Sequence, residues 1–207
     1  MKILLFHLVN YIYEKISTLF VVLHQGNKSN ITPKVRQENE WVYLEKGVKA
    51  TRKFDGTACA IISGKLYKRY DCKVGKIPPE DAIPCQEPDP ITGHWPHWVK
   101  CKQDSPADQY FIEGLWRFMS LNDVIEDGTY ELCGPKVGGN PERLPYHILI
   151  KHGYEILYIV DFSYSSIKHY LSDLSNDIEG IVFHGSDGKM CKIRKKDFNI
   201  KRKYDVK

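Results

Sequence analysis

No pair of the six cysteines stands in a C-x-x-C arrangement, and no internal repeat or low-complexity tract occurs in the 207 residues. Scattered cysteines in a chain of this length read as reduced thiols rather than a disulfide framework, and so point to a reducing, cytoplasmic compartment. Long apolar runs are also missing. The N-terminal stretch "MKILLFHLVNYIYEKISTLFVVLH" is interrupted by His7, Asn10, Glu14 and Lys15, short of the ~18 apolar residues a membrane span needs, and no small-x-small cleavage site follows it. "GPKVGGN" is glycine-rich but lacks the G-K-[ST] ending of a phosphate-binding loop, so it reads as a turn. In the loop Cys85…His94-x-x-His97-x-x-x-Cys101 the ligand types for zinc are present but their spacing is not.

What is present describes an ordinary globular chain, with 42% hydrophobic and 27% charged residues. The formal net charge of +4 is unevenly spread: from Lys189 onward there are nine basic and two acidic residues. A basic end of that strength suits a polyanion, and nucleic acid is the commonest one.

Apolar spacing at Leu5, Leu8, Ile12, Ile16, Leu19 and Leu23 predicts an amphipathic helix. Residues 1–40 are thus expected to form a helical segment packed on a domain spanning 41–207. Alternation from Trp41 to Tyr70 predicts strands with a hairpin turn at Ser63-Gly64. Six prolines between Ile77 and Lys100 predict a long loop, in which Trp95 and Trp98 serve as an apolar anchor. Ser105-Pro106 opens a predicted helix with Ile112, Leu115, Trp116 and Met119 on one face. "GTYELCG" and "YHILIKHG" read as strands, "SSIKHYLSDLS" as a helix, and "EGIVFHGSDGKMCKIRK" as a hairpin turning at Asp187-Gly188. The class is α+β, built on antiparallel sheets flanked by helices. Cys59 and Cys133 fall in strands, as buried small apolar residues.

Several polar residues interrupt these strands. Lys53 precedes Asp55-Gly56, Glu131 sits in "TYELCG", and Glu179 introduces an apolar run. A carboxylate there is costly unless a cation meets it. Lys192 and Arg194 are two apart, so on a strand they share a face. Arg69 adds another cation. Each alone reads first as a surface charge or an ion pair, but the order K-x-D-G, R-x-D, Y-E-L-x-G, E-G-I-V, K-x-R is specific.

That order resembles the covalent nucleotidyltransferase superfamily of RNA ligases, DNA ligases and mRNA capping enzymes. "YELCGPKVGGNPE", "LPYHILIKHG" and "IEGIVFHGSDGKMCKI" further resemble the small ATP-dependent 5′–3′ RNA ligases that include the vertebrate enzyme. The resemblance runs from about Val48 to Lys196. It implies an adenylation domain without an appended OB-fold, with Lys53 as nucleophile on the α-phosphate of ATP. It implies Lys192 and Arg194 as phosphate-binding cations, the latter a departure from the K-x-K pattern. Asp55, Gly56, Arg69, Glu131 and Glu179 would shape the nucleotide site, and Glu179 would hold Mg2+ or Mn2+. Tyr146 or His147, with His147 preferred, would stack on the base. An ammonium has no lone pair, so Lys53 must lose a proton, which neighbouring positive charge favours. The implied partner is RNA with 5′-phosphate and 3′-hydroxyl ends, its backbone held by the basic C-terminal stretch, on a monomeric enzyme of RNA repair with no membrane attachment. A capping guanylyltransferase and a non-catalytic RNA-binding protein are the alternatives.

Overall fold

The structure, a computed structural model, describes residues 16–25, 28–90 and 92–203. They form two compact units: Asp55–His152, and Ile16–Phe54 together with the described part of Gly153–Lys207. The architecture is α+β with mostly antiparallel sheets, as the alternation predicts. No helix among the described residues is long and apolar enough to cross a membrane.

In the unit containing Lys53, β1 (Ser17–Thr18), β12 (Met190–Arg194), β11 (Gly180–His184) and β4 (Lys49–Lys53) lie side by side in that order. The pair β1–β12 is parallel and the others antiparallel. Strands β2 (Phe20–Gln25) and β3 (Lys28–Val35) make a separate hairpin. Ala50, Ile181, Phe183, Cys191 and Ile193 point to one face of the four-stranded sheet. There they meet Leu19, Phe20, Trp41 and Val42, and the buried side of α3 (Tyr164–Ser172), Ile167 and Leu171. Thr51, Lys53, Val182, Lys192 and Arg194 alternate with those residues and occupy the opposite face.

The expected N-terminal helix is corrected here. Its first fifteen residues lie outside the described ones, but Ser17–Thr18, Phe20–Gln25 and Lys28–Val35 are strands. Short apolar runs satisfy helical and extended spacing alike, and backbone pairing decides. The Leu19 N–H donates to the Lys192 carbonyl at 2.7 Å, and its own carbonyl accepts from the Arg36 N–H at 3.0 Å. Trp41–Leu44, expected as strand, is a short helix (α1) that buries Trp41 and Val42.

The other unit is a six-stranded sheet ordered β10 (Ile148–Lys151), β9 (Gly128–Cys133), β5 (Thr57–Ile62), β6 (Lys65–Cys72), β8 (Trp95–Lys100), β7 (Ile83–Pro84). Helix α2 (Gln109–Leu121) covers the face carrying Cys59, Ile61, Leu132 and Leu149. The opposite face carries Ala60, Ile62 and Trp98. The β5–β6 hairpin turns at Ser63 and Gly64, both with positive φ (50° and 70°), and the Asp127 carboxylate accepts their N–H groups at 2.6 and 2.9 Å. That is the twist a two-residue hairpin needs.

Two expectations shift. The proline-rich stretch ends in a real strand, since β8 pairs with β6 along Tyr67–Cys72, and buried Trp98 anchors it. Helix α2 buries Ile112 and packs Tyr110, Phe111, Leu115 and Phe118, whereas Trp116 and Met119 are exposed, so its apolar face is rotated from the expected one.

Candidate active site

Register assembles the first cluster. Gly180 is opposite Lys53 on one side and Arg194 on the other, and Val182 is likewise opposite Thr51 and Lys192. Three cations therefore stand on one sheet face, two strands apart. Glu179, just before β11, meets the Lys53 ammonium directly, and Lys53 Nζ also lies 3.4 Å from the Phe54 carbonyl. The costly carboxylate thus has its cation. Glycine at 180 is required: a Cβ there would run into the Ile193 carbonyl and crowd Arg194 Cα at 2.8 Å.

Arg194 is less available than a free phosphate-binding cation. Its Nε and Nη2 donate to the two Asp197 oxygens at 3.1 and 2.8 Å, and its backbone N–H donates to the same carboxylate at 2.8 Å. The Asp197 pair fixes the guanidinium plane, as a bidentate fork does. With Lys53 on Glu179 and Arg194 on Asp197, Lys192 is the excess charge. Its ammonium is pushed down to about 8, first by burial and then by Arg194 and Lys53. The cluster is short of negative charge, which favours an incoming polyanion.

The second constellation lies in the six-stranded unit. Glu131 and Ala58 are register partners, and Arg69 pairs with Trp98. Continuing the β5–β6 register brings Arg69 opposite Ala58, so Glu131, Ala58 and Arg69 form one row on one face. A small residue between an acid and a base leaves floor space between them. Glu131 is also a local brace. Its carboxylate accepts the Gly56 N–H at 3.1 Å and contacts His152 Nε2 at 2.9 Å. Gly56 itself has no room for a Cβ, which would overlap the Leu132 carbonyl and sit 2.9 Å from Cys133 Sγ. Asp55 is anchored through its backbone N–H to Glu142 at 3.0 Å. Arg69 Nε donates to Asp71 at 3.1 Å.

Sequence reasoning missed Glu142, His152 and Asp197. Asp197 carried a findable signal, an acid three residues past Arg194. Glu142 and His152 are brought in by turns whose path the sequence does not state.

His147 is turned away from this row. It shares parity with Leu149, on the face covered by α2, while Glu131 is opposite Ile150. The residue is 5% exposed, and its ring stacks on Tyr110 with centroids 4.4 Å apart, contacts Glu113 at 2.9 Å and accepts the Lys136 N–H at 3.1 Å. It braces a loop and offers no free face to a base. Tyr146 lies beneath the Arg117 guanidinium, 4.6 Å from the ring centre. The positions of β10 on the Glu131 side are Ile148 and Ile150.

The basic C-terminal stretch also divides. Lys196, Lys201 and Lys203 are exposed, but Lys195 and Arg202 are buried. Arg202 Nη2 donates to the Asp177 carbonyl at 3.1 Å, and the Lys203 N–H donates to the Asp177 carboxylate at 2.9 Å. Part of the charge read as RNA-binding is structural.

Comparison with known proteins adds a likeness to RNA ligases. A family model described as RNA ligase 1 matches residues 113–205. RNA ligase 1 of Pongo abelii is 29% identical across 70% of this chain. In both comparisons the chain is similar to RNA ligases. The match spans 65% of that relative's length. The matched segment of the RNA ligase 1 model contains Glu131, His147, Glu179, Lys192 and Arg194, and it starts after the K-x-D-G stretch.

Proposed function

We propose that this chain is an ATP-dependent RNA ligase with a nucleotidyltransferase fold, working through a lysine–AMP intermediate. The observation that carries the reading is the amine of Lys53 on the sheet face with Lys192 and Arg194, against Glu179. A surface lysine has no use for such surroundings. A lysine that must attack a polyphosphate does.

In the first step Lys53 Nζ attacks the α-phosphorus of ATP. A P–N bond forms, the bond to the bridging oxygen breaks, pyrophosphate leaves, and the amine gives up a proton. Lys192 and Arg194 stabilise charge gathering on the phosphoryl oxygens, with the Arg194 fork pre-aligned by Asp197. In the second step an RNA 5′-phosphate oxygen displaces Lys53 from the adenylate, forming a 5′–5′ pyrophosphate linkage. In the third the RNA 3′-hydroxyl attacks the activated 5′-phosphorus and AMP departs. Arg69 and Glu131 are suited to phosphate and ribose contacts, with Ala58 leaving space between them. Ile148 and Ile150 replace His147 as apolar contacts for a base.

The residues fit a divalent cation in one respect: Glu179 offers the hard carboxylate oxygen that Mg2+ favours, beside cations that attract the phosphates such an ion accompanies. There it would supply charge neutralisation on the triphosphate.

The test is the intact mass of the full chain after incubation with ATP and Mg2+. Wild type gains one adenylate and Lys53→Ala gains none. Adduct persisting in Lys53→Ala refutes the assignment. An adduct from GTP and none from ATP moves the protein to the capping guanylyltransferases, and no adduct from either leaves an RNA-binding protein.

A further inference from the structure

The segment after β10 has an exposure pattern that folding does not explain. Tyr154, Ile156, Tyr158 and Val160 are 79%, 48%, 91% and 99% exposed, alternating with the half-buried Glu155, Leu157 and Ile159. Leu157 and Ile159 pack on the hydrophobic core, and Glu155 pairs with Arg52. The segment lies along β4 as an irregular edge strand: the Arg52 N–H donates to the Glu155 carbonyl at 2.9 Å, the Leu157 N–H to the Ala50 carbonyl at 2.8 Å, and Thr51 bridges Ile156 antiparallel. Partners across a ladder share a face, so Ile156 is on the side of Thr51 and Lys53. Continuing the register puts Tyr154 opposite Lys53 and Tyr158 opposite exposed Lys49.

A row of large apolar side chains held out in water marks a contact surface. Two features choose its occupant. The tyrosines alternate with lysines across the sheet edge, the combination that binds single-stranded nucleic acid: flat rings for bases, ammonium groups for backbone. The row also continues the cationic face that carries Lys53, where an RNA end must arrive if the ligase reading holds. Tyr154 and Tyr158 are roughly 13 Å apart along the segment, far enough to take separate bases.

We infer that Tyr154–Val160 is a stacking platform for single-stranded RNA, leading the strand along the β4 edge toward Lys53. This rests on the proposed RNA-joining function for its direction, but its test does not. The full chain, without ATP, is titrated with a fluorescent single-stranded RNA of about twelve nucleotides bearing a 5′-phosphate. Tyr158→Leu should raise Kd about tenfold, because one stacked base is worth roughly 1–3 kcal/mol, whereas Tyr158→Phe should keep wild-type affinity. The exposed ring has no packing to lose, and an unchanged circular dichroism spectrum verifies the fold. Equal affinity of Tyr158→Leu and wild type overturns the platform. A wild-type dimer that Tyr158→Leu converts to monomer in sedimentation, with RNA affinity unchanged, overturns it in favour of a second copy of this chain. Tyrosine-dependent RNA binding in a protein that never becomes adenylated would keep the platform and refute the ligase.

Discussion

At the scale of residues, the chemistry concentrates on one charge imbalance. Lys53 has Glu179 and Arg194 has Asp197, which leaves Lys192 as the ammonium that the sheet face does not neutralise. Its depressed value fixes a pH dependence. In the unfolded chain Lys192 titrates near 10.5, and in the folded one near 8. Below 8 it is charged in both states, and folding carries the full penalty of burying it beside two cations. Between 8 and 10.5 the unfolded state binds more protons, so stability rises with pH through that window. Replacing Lys192 by Met should therefore stabilise the protein by about 2 kcal/mol at pH 7. The gain should shrink by pH 10, as read from urea midpoints of the two proteins at both values. On the proposed function the same replacement should also abolish adenylation, because Lys192 is the cation assigned there to the phosphates.

At the scale of elements, the C-terminal stretch shows how composition misleads about role. From Lys189 the sequence reads as one basic tail, yet Arg202 is 4% exposed and held to Asp177, while Lys201 on its flank is exposed. Arg202→Ala removes the buried guanidinium and its hydrogen bond to the Asp177 carbonyl and should cost about 1–3 kcal/mol of stability. Lys201→Ala should stay within about 0.5 kcal/mol. Chemical denaturation of the two variants separates a structural arginine from a surface lysine. A similar division runs along β10 and the residue before it, where the register with β9 puts His147 on the helix-covered side and Ile148 and Ile150 on the side of Glu131.

At the scale of the whole molecule, the proposed function needs a surface that attracts a polyanion, and the net charge of +4 supplies only a weak one. The attraction is local: the sheet face with Lys53, Lys192 and Arg194, the edge with Lys49, and exposed Lys196, Lys201 and Lys203. Affinity for single-stranded RNA should fall at least tenfold between about 50 and 200 mM salt, through release of counterions from the few phosphates engaged. Charge reversal of Lys49 should flatten that slope by about one unit, as a plot of log Kd against log salt would show.

The sequence by itself determined the parts that depend on neighbours in the chain. Alternation determined the β5–β6 and β11–β12 hairpins, glycine placed the turns, and two-residue spacing put Lys192 and Arg194 on one face. The K-x-D-G and E-G pairs announced two glycines that have no space for a side chain. Only the tertiary structure decided which partner each polar group found. The strands β1, β2 and β3 in place of a helix, Glu131 bracing Gly56, Arg202 held to Asp177 and the row of exposed tyrosines beside β4 all depend on contacts between segments distant in the chain. Periodicity states which side of an element is apolar. It does not state what lies against that side, and burial, pairing and charge balance are properties of what lies there.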